Sequence, residues 1–302
     1  MGYSYQPKAI SEYFDEFGVR EWERLVRTPV DEISLHIHIH YLKKHISPNQ
    51  KVLEIGAGAG RFTQVLADLG AQIVVADISN RQLLLNKRFS SEYGFENAIV
   101  KWCETDICDL SQFESNTFDS ILAYGGPFSY VLDKKDVALG ECIRVLRPSG
   151  ILILSVMSLW GTAHAVLGSI LSLPPEINQQ VTITGDITPD TFPERGNNFM
   201  HLFRGQELLD WVKAAGLEIL DVSASNCLSL TWNEKLMEIR EDVEKWNELL
   251  RIELDACASK GSLNAGTHII AVVRKNKNAG YQLEQTCFAA EDGALNAILG
   301  TE

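Results

Sequence analysis

Residues 52–63 read VLEIGAGAGRFT, an apolar run that ends in a glycine-rich turn and leads into a segment with helical spacing. The turn carries Gly56, Gly58 and Gly60, and the acidic residue Glu54 comes just before it. Glycines accept positive φ and let a ligand approach the backbone closely, while a helix N-terminus offers free N–H groups to an anion. The stretch therefore predicts a strand, loop and helix that bind a nucleotide-like ligand.

The spacing of these glycines disfavours a dinucleotide as that ligand. Dinucleotide-binding loops follow the pattern G-x-G-x-x-G. If the motif starts at Gly56 and Gly58, Arg61 occupies the position of the third glycine. If it starts at Gly58 and Gly60, Thr63 occupies that position. We therefore do not expect NAD at this loop.

Short β-branched runs alternate with helical spacing through the first half of the chain, which is typical of a parallel, doubly wound sheet. Two more strand-like runs follow in the second half, and an acidic helix is predicted near 232–256. The sequence thus predicts seven strands, at 51–55, 71–76, 98–102, 118–123, 150–156, 217–224 and 267–274.

The pattern E-x-G-x-G-x-G at 54–60 resembles the first motif of class I S-adenosylmethionine-dependent methyltransferases, of the small-molecule, methyltransferase type 11-like branch. The resemblance runs in order through about residues 45–274. It includes Asp77 and Ile78 after the second strand, Asp106 and Ile107 after the third, the fourth-strand run 118–133, the LRPSG turn and fifth strand within 142–157, and the run 203–220.

The resemblance implies S-adenosyl-L-methionine as cofactor. By position, Asp77 would accept the ribose hydroxyls, Ile78 would pack on adenine and Asp106 would meet the adenine amino group. The fourth strand leaves through AYGGPF instead of D/N-P-P-Y, which disfavours methylation of adenine or glutamine nitrogens. The implied cofactor-binding set is Glu54, Gly56, Ala57, Gly58, Gly60, Asp77, Ile78, Asp106, Ile107 and Tyr124.

The resemblance also gives the expected architecture: an α/β, Rossmann-like, seven-stranded, mostly parallel sheet with helices on both faces. Residues 1–46 would form an N-terminal helical lid, 47–274 the methyltransferase domain and 275–302 a C-terminal tail. The proline-rich stretch 174–200 interrupts the pattern after strand 5 and is expected to be an inserted loop or cap.

Composition narrows the function classes. The chain has 27 Lys+Arg against 40 Asp+Glu, a net charge of −13, which disfavours a nucleic-acid partner. Residues 151–173 are uncharged and long enough to cross a bilayer, but we expect a buried strand followed by a buried helix. The N-terminus lacks the pattern of a signal peptide and the six cysteines show no CxxC pair, so a cytoplasmic location is expected.

The histidines give no metal site and no assigned catalytic residue. In the cluster His36, His38, His40 and His45 only His36 and His40 share a helix face, so a polar helix face is expected and no metal. His164 and His201 are candidates for a general base, or structural histidines.

The predicted reaction is methyl transfer to an O, N or C nucleophile of a small molecule with apolar character. The insert at 174–200 and the apolar helix at 158–173 would shape a largely apolar pocket for it. The alternatives are a peptide or protein methyltransferase and a non-catalytic, cofactor-binding partner subunit. The sequence leaves the accepting atom and the oligomeric state open.

Overall fold

A seven-stranded sheet organises the chain, in the order β3-β2-β1-β4-β5-β9-β8. The computed structural model describes residues 4–189, 191 and 199–276. The first five strands are parallel, whereas β9 runs antiparallel to both β5 and β8. The strands are β1 (Lys51–Ile55), β2 (Gln72–Asp77), β3 (Ile99–Glu104), β4 (Phe118–Ala123), β5 (Leu146–Met157), β6 (Asp186–Ile187), β7 (Met200–His201), β8 (Leu217–Ala224) and β9 (His268–Lys275).

Helices cover both faces of this sheet, as predicted. Leu53 of β1 belongs to a core under α7 and α11, and its neighbour Val52 belongs to a second core under α3, α4 and α5. The helices are α1 (Pro7–Phe17), α2 (Arg20–Glu23), α3 (Pro29–His45), α4 (Arg61–Asp68), α5 (Asn80–Glu92), α6 (Pro127–Tyr130), α7 (Lys135–Val145), α8 (Leu159–Ala165), α9 (Leu167–Leu171), α10 (Pro175–Thr184), α11 (Gly205–Ala214), α12 (Asn233–Arg240) and α13 (Val243–Cys257).

The strand order reverses between β1 and β4, which places a crevice beyond the carboxyl ends of these two strands. The seven-stranded prediction is confirmed. The N-terminal helical prediction is also confirmed, as three helices. The last of them, α3, begins at a capping box in which Thr28 and Asp31 bond each other's backbone N–H groups.

The prediction of a buried helix after β5 is wrong. Residues 158–173 form the two short helices α8 and α9, and α9 has no buried residue. Leu167 is 52% exposed and Leu171 73% exposed, because these helices roof a cavity on one side and face solvent on the other. No helix among the described residues is long and apolar enough to cross a membrane.

The insert at 174–200 is more regular than predicted. It contains α10, which begins at Pro175 and is ended by Gly185 in the left-handed region just after Thr184, followed by the short β6–β7 pair. Residue 190 and residues 192–198 lie outside the described part. The helix predicted near 232–256 is two helices, because Asp242 caps a new start by accepting a bond from the Lys245 N–H. Most of the predicted tail, residues 277–302, also lies outside the described residues.

Candidate cofactor and substrate site

The glycine loop lies at the switch point of the sheet, between the end of β1 and the start of α4. Gly56, Gly58 and Gly60 all have positive φ, at 68°, 53° and 104°. A Cβ on Gly58 would lie 2.9 Å from Cγ of Glu21, so both the backbone conformation and the space require glycine there. The loop therefore presents bare backbone to whatever lies above it.

Asp77 ties the end of β2 to this loop. Its Oδ2 accepts a hydrogen bond from the Gly58 N–H at 2.8 Å, and its Oδ1 accepts one from the Ser79 N–H at 2.8 Å. Burial raises the pKa of Asp77 to about 6, against the effect of these two N–H donors and with the help of the nearby carboxylate of Glu21. At neutral pH the group is mainly a carboxylate that still has free lone pairs.

Glu54 and Gly60 lie behind the loop and are not part of the cavity wall. The Thr63 hydroxyl donates to Glu54 Oε2 at 2.6 Å, and the Asn86 amide donates to Thr63 Oγ1 at 2.9 Å. Burial raises the pKa of Glu54 to about 8, although the Thr63 hydroxyl acts in the opposite direction. Glu54 is therefore largely protonated at neutral pH and bonded to Thr63.

Asp106, the predicted acid after β3, is not among the residues of the cavity wall, unlike its two neighbours. Thr105 and Ile107 line the cavity, whereas the side chain of Asp106 accepts a bond from the Cys108 N–H at 2.8 Å. The Asp106 carboxylate also lies close enough to Tyr5 of the N-terminal segment to raise the pKa of that tyrosine, although burial is the larger cause.

One cavity of about 500 Å³ joins the predicted cofactor residues to an apolar chamber. Its lining includes Gly56, Ala57, Gly58, Asp77, Ile78, Ile107 and Tyr124 of the predicted set. Tyr124 is fully buried and donates its hydroxyl to the His38 carbonyl at 3.3 Å, and burial raises its pKa. The far end is lined by residues of α8, α9, α10 and the turns between them, among them Val166, Ile170, Leu173 and Val181. A cavity of this size and composition is typical of a small-molecule site.

The N-terminal segment, predicted as a lid, places side chains in this cavity that were not in the predicted cofactor-binding set. They include Tyr5, Tyr13, Phe14, Glu21 and Arg24. Arg24 donates to both carboxylate oxygens of Glu21, with a shortest N–O distance of 2.7 Å. The only signal in the sequence was an acid and an arginine three residues apart, which is common on solvated helix faces.

Neither candidate general base lines the cavity. His164 is exposed on α8. His201 is held by Asp186 at 2.7 Å and by Glu207 at 2.7 Å, which makes it a structural link between β6, β7 and α11.

The N-terminal histidines are not a uniform polar face, since His38 is buried and its Nδ1 lies 2.8 Å from the Ser34 carbonyl. Burial lowers the pKa of His38 to about 4. No group of residues that could hold a metal ion occurs in the described ranges.

Comparisons with known proteins agree with this geometry. Residues 53–154, about a third of the chain, match the family model of a methyltransferase domain. This range runs from β1 and the glycine loop through β5 and so contains the whole switch point. The chain therefore contains a methyltransferase domain.

Relatives of this methyltransferase are distant. The ubiquinone biosynthesis O-methyltransferase of Xanthomonas axonopodis pv. citri (strain 306) is 22% identical over 62% of this chain and 71% of its own length. Among solved structures, a methyltransferase from Methanosarcina mazei has a TM-score of 0.53 at 16% identity, covering 78% of this chain and 97% of the other. The [4+2]-cyclase SpnF has a TM-score of 0.52 at 20% identity, covering 80% of each chain. The structural likenesses show the fold alone.

Proposed function

We propose that this methyltransferase transfers the methyl group of S-adenosylmethionine to a small molecule with an apolar body. The observation that carries the proposal is the continuity of the cavity. The glycine loop and Asp77 line one end, and the aliphatic side chains of α9 and α10 line the other, with no wall between them. A ligand at the first end and a substrate at the second would meet inside one cavity.

The residues at the glycine loop fit this cofactor. Asp77 keeps acceptor capacity for hydroxyl groups, Ile78 and Ile107 offer apolar surface, and Gly56 and Gly58 expose backbone. We propose that these residues and Tyr124 contact the cofactor, whereas Glu54 and Gly60 hold the loop from behind. When bound, the cofactor supplies an electrophilic methyl group, and the protein has to align the acceptor and exclude water.

We propose that α1 serves as the lid of this cavity. The Ser11 hydroxyl donates to the Ile78 carbonyl at 3.0 Å, and the Gln82 amide donates to the carbonyls of Phe14 at 2.9 Å and Gly18 at 3.1 Å. These bonds fix α1 across the end of β2. Tyr13 and Phe14 then cover the cavity with aromatic surface, which is how a lid keeps water from a reacting pair.

The ionisable side chains of the described cavity wall suggest which acceptors to test. They comprise tyrosines, arginines, Glu21 and Asp77, and include no histidine, lysine or cysteine. An amine, thiol or stabilised carbanion needs little help from a base, and a phenol needs less than an alcohol. Because curated relatives are named ubiquinone biosynthesis O-methyltransferases, we propose an oxygen acceptor on an apolar molecule and would test phenols first.

The test is a methyl-transfer screen of the purified protein with radiolabelled S-adenosylmethionine. The panel pairs each acceptor group, phenol, amine or thiol, with an apolar and a polar body. We expect transfer to apolar members and little to their polar counterparts. Transfer to peptides alone would support the protein methyltransferase, and no transfer despite tight cofactor binding would support a non-catalytic partner subunit.

We also propose that the protein works in the cytoplasm. The five cysteines in the described ranges are all free thiols, which is typical of a reducing compartment.

A further inference from the structure

Glu21 and Arg24 form an ion pair beside the glycine loop. The guanidinium of Arg24 meets Glu21 Oε1 at 2.7 Å and, through Nε, Glu21 Oε2 at 3.1 Å. Burial disfavours the charge of Arg24, but Glu21 outweighs this effect and raises the arginine pKa. Both side chains line the cavity and are mostly buried, with exposed fractions of 16% for Glu21 and 31% for Arg24.

The pair spans the two strand ends that meet at the switch point. Cγ of Glu21 lies 2.9 Å from where a Cβ on Gly58 would be, and Nη2 of Arg24 lies 3.5 Å from the corresponding position on Gly125. Gly58 belongs to the loop after β1, and Gly125 follows β4. The Glu21 carboxylate and the Arg24 guanidinium thus lie side by side next to the backbone of these two glycines.

The other charged groups of the described cavity wall are bonded to the backbone. Arg61 stacks on the Trp22 ring at 3.9 Å and donates to the Trp22 carbonyl at 2.6 Å. Asp77 accepts the N–H groups of Gly58 and Ser79. The side chains of Glu21 and Arg24 are instead hydrogen-bonded to each other, so they are the charges that a ligand with two opposite charges would meet.

The segment that carries Glu21 and Arg24 packs against α5 and the start of α4. Trp22, which lies between the two residues in sequence, stacks on Phe89 at 4.4 Å and on Tyr93 at 5.0 Å, and Arg61 at the start of α4 holds its backbone. The pair is therefore presented at a fixed place, which lowers the entropy cost of using it for recognition.

We propose that Glu21 and Arg24 form a clamp for the zwitterionic amino-acid end of the cofactor. A guanidinium pairs with a carboxylate in a bidentate manner, and a carboxylate pairs with an ammonium group through charge-assisted hydrogen bonds. An α-amino acid carries these two groups one carbon apart, so it complements a neighbouring acid and arginine. Arg24 binds its carboxylate and Glu21 its ammonium, while Asp77 remains available for hydroxyl groups. The clamp rests on the proposed cofactor site.

The experiment measures ligand binding and does not depend on methyl transfer. The wild type, Glu21→Gln and Arg24→Gln are titrated with S-adenosylhomocysteine and with 5′-methylthioadenosine, which lacks the amino-acid end. We expect each substitution to weaken S-adenosylhomocysteine binding about tenfold, the size of a lost charge-assisted bond, and to leave 5′-methylthioadenosine unchanged. The exposed Glu23→Gln on the same short helix is the matched control and should change neither affinity.

Other outcomes overturn the clamp. Equal weakening of both ligands would mean that the pair only supports the fold, and tighter binding of both to Glu21→Gln would mean that Glu21 merely occupies the space. If a variant does not fold, the wild type still decides, because removal of either the amino or the carboxyl group from S-adenosylhomocysteine should cost about tenfold. Failure of the wild type to bind any adenosine ligand would instead refute the proposed cofactor site.

Discussion

The Gly58 N–H donates to Asp77 Oδ2 at 2.8 Å, which joins the glycine loop after β1 to the acid at the end of β2. The two residues lie 19 positions apart in the chain. Because Asp77 also accepts the Ser79 N–H, one carboxylate fixes both the loop and the start of α5. The residue expected to hold the cofactor ribose therefore also shapes the loop beneath it.

Asn86→Ala should destabilise the buried hydrogen bonds that support the glycine loop on the side away from the cavity. Asn86 donates to Thr63 and accepts the Trp102 indole N–H at 3.0 Å, so its removal leaves buried partners without bonds. We expect a loss of about 1–3 kcal/mol in the free energy of unfolding, measured with urea. Exposed Asn97→Ala is the control, and equal stability of the two variants would show that the buried chain of hydrogen bonds is not needed.

His201→Gln should destabilise the protein in a pH-dependent way. Burial opposes the charge of His201, but its bonds with Asp186 and Glu207 raise its pKa above the usual value. A raised folded-state pKa contributes stability that is fully present below about pH 6.5 and is lost as pH rises through the folded pKa. The difference in unfolding free energy between the wild type and the variant should therefore shrink with rising pH.

The control for this experiment is His164→Gln, at an exposed histidine of α8. A difference for His201→Gln that stays constant, or grows at high pH, would show that the ionised link to Asp186 and Glu207 is not what stabilises this corner. Methyl transfer should survive the substitution, because His201 does not line the cavity.

Val181→Glu should impair methyl transfer without affecting cofactor binding. Val181 lines the apolar end of the cavity, and Ile183 on the same helix is 68% exposed. A carboxylate facing an apolar substrate must be desolvated, so we expect the KM for an apolar acceptor to rise at least about tenfold. Ile183→Glu should behave as wild type; if both variants raise KM equally, α10 does not form the substrate wall.

Gln82→Ala should release the proposed lid. Its amide holds the carbonyls of Phe14 and Gly18, at the end of α1. We expect faster amide hydrogen exchange in α1 and faster dissociation of S-adenosylhomocysteine, by several-fold, with the sheet unchanged. Faster exchange with an unaltered dissociation rate would show that α1 does not control access to the cavity.

The sequence predicted the parts of the site that are local in the chain. The glycine loop and Asp77 follow strand ends, and parallel strands bring their carboxyl ends together, so order along the chain was enough. Glu21, Arg24 and Tyr5 could not be predicted, because their places depend on how the N-terminal segment crosses the sheet. Tyr5, for instance, donates its N–H to Asp133, 128 positions away.

Periodicity did not separate buried from exposed positions. The apolar residues of 158–173 predicted a buried helix beside an apolar pocket; in the structure Ile170 does face the cavity, but Leu171 faces solvent. His38 shows the opposite error: a polar residue in a histidine-rich helix is buried because its Nδ1 reaches the Ser34 carbonyl. In both cases the deciding fact is what packs opposite the residue, which a single sequence does not contain.

The most direct test of the account is isothermal titration of the purified protein with S-adenosylhomocysteine, repeated on Asp77→Ala and on the exposed control Asp68→Asn. We expect the wild type and the control to bind equally well, and Asp77→Ala to lose about 2 kcal/mol of binding free energy as its hydrogen bonds disappear. Absence of binding by the folded wild type, or equal binding by Asp77→Ala, would contradict a cofactor site at the glycine loop.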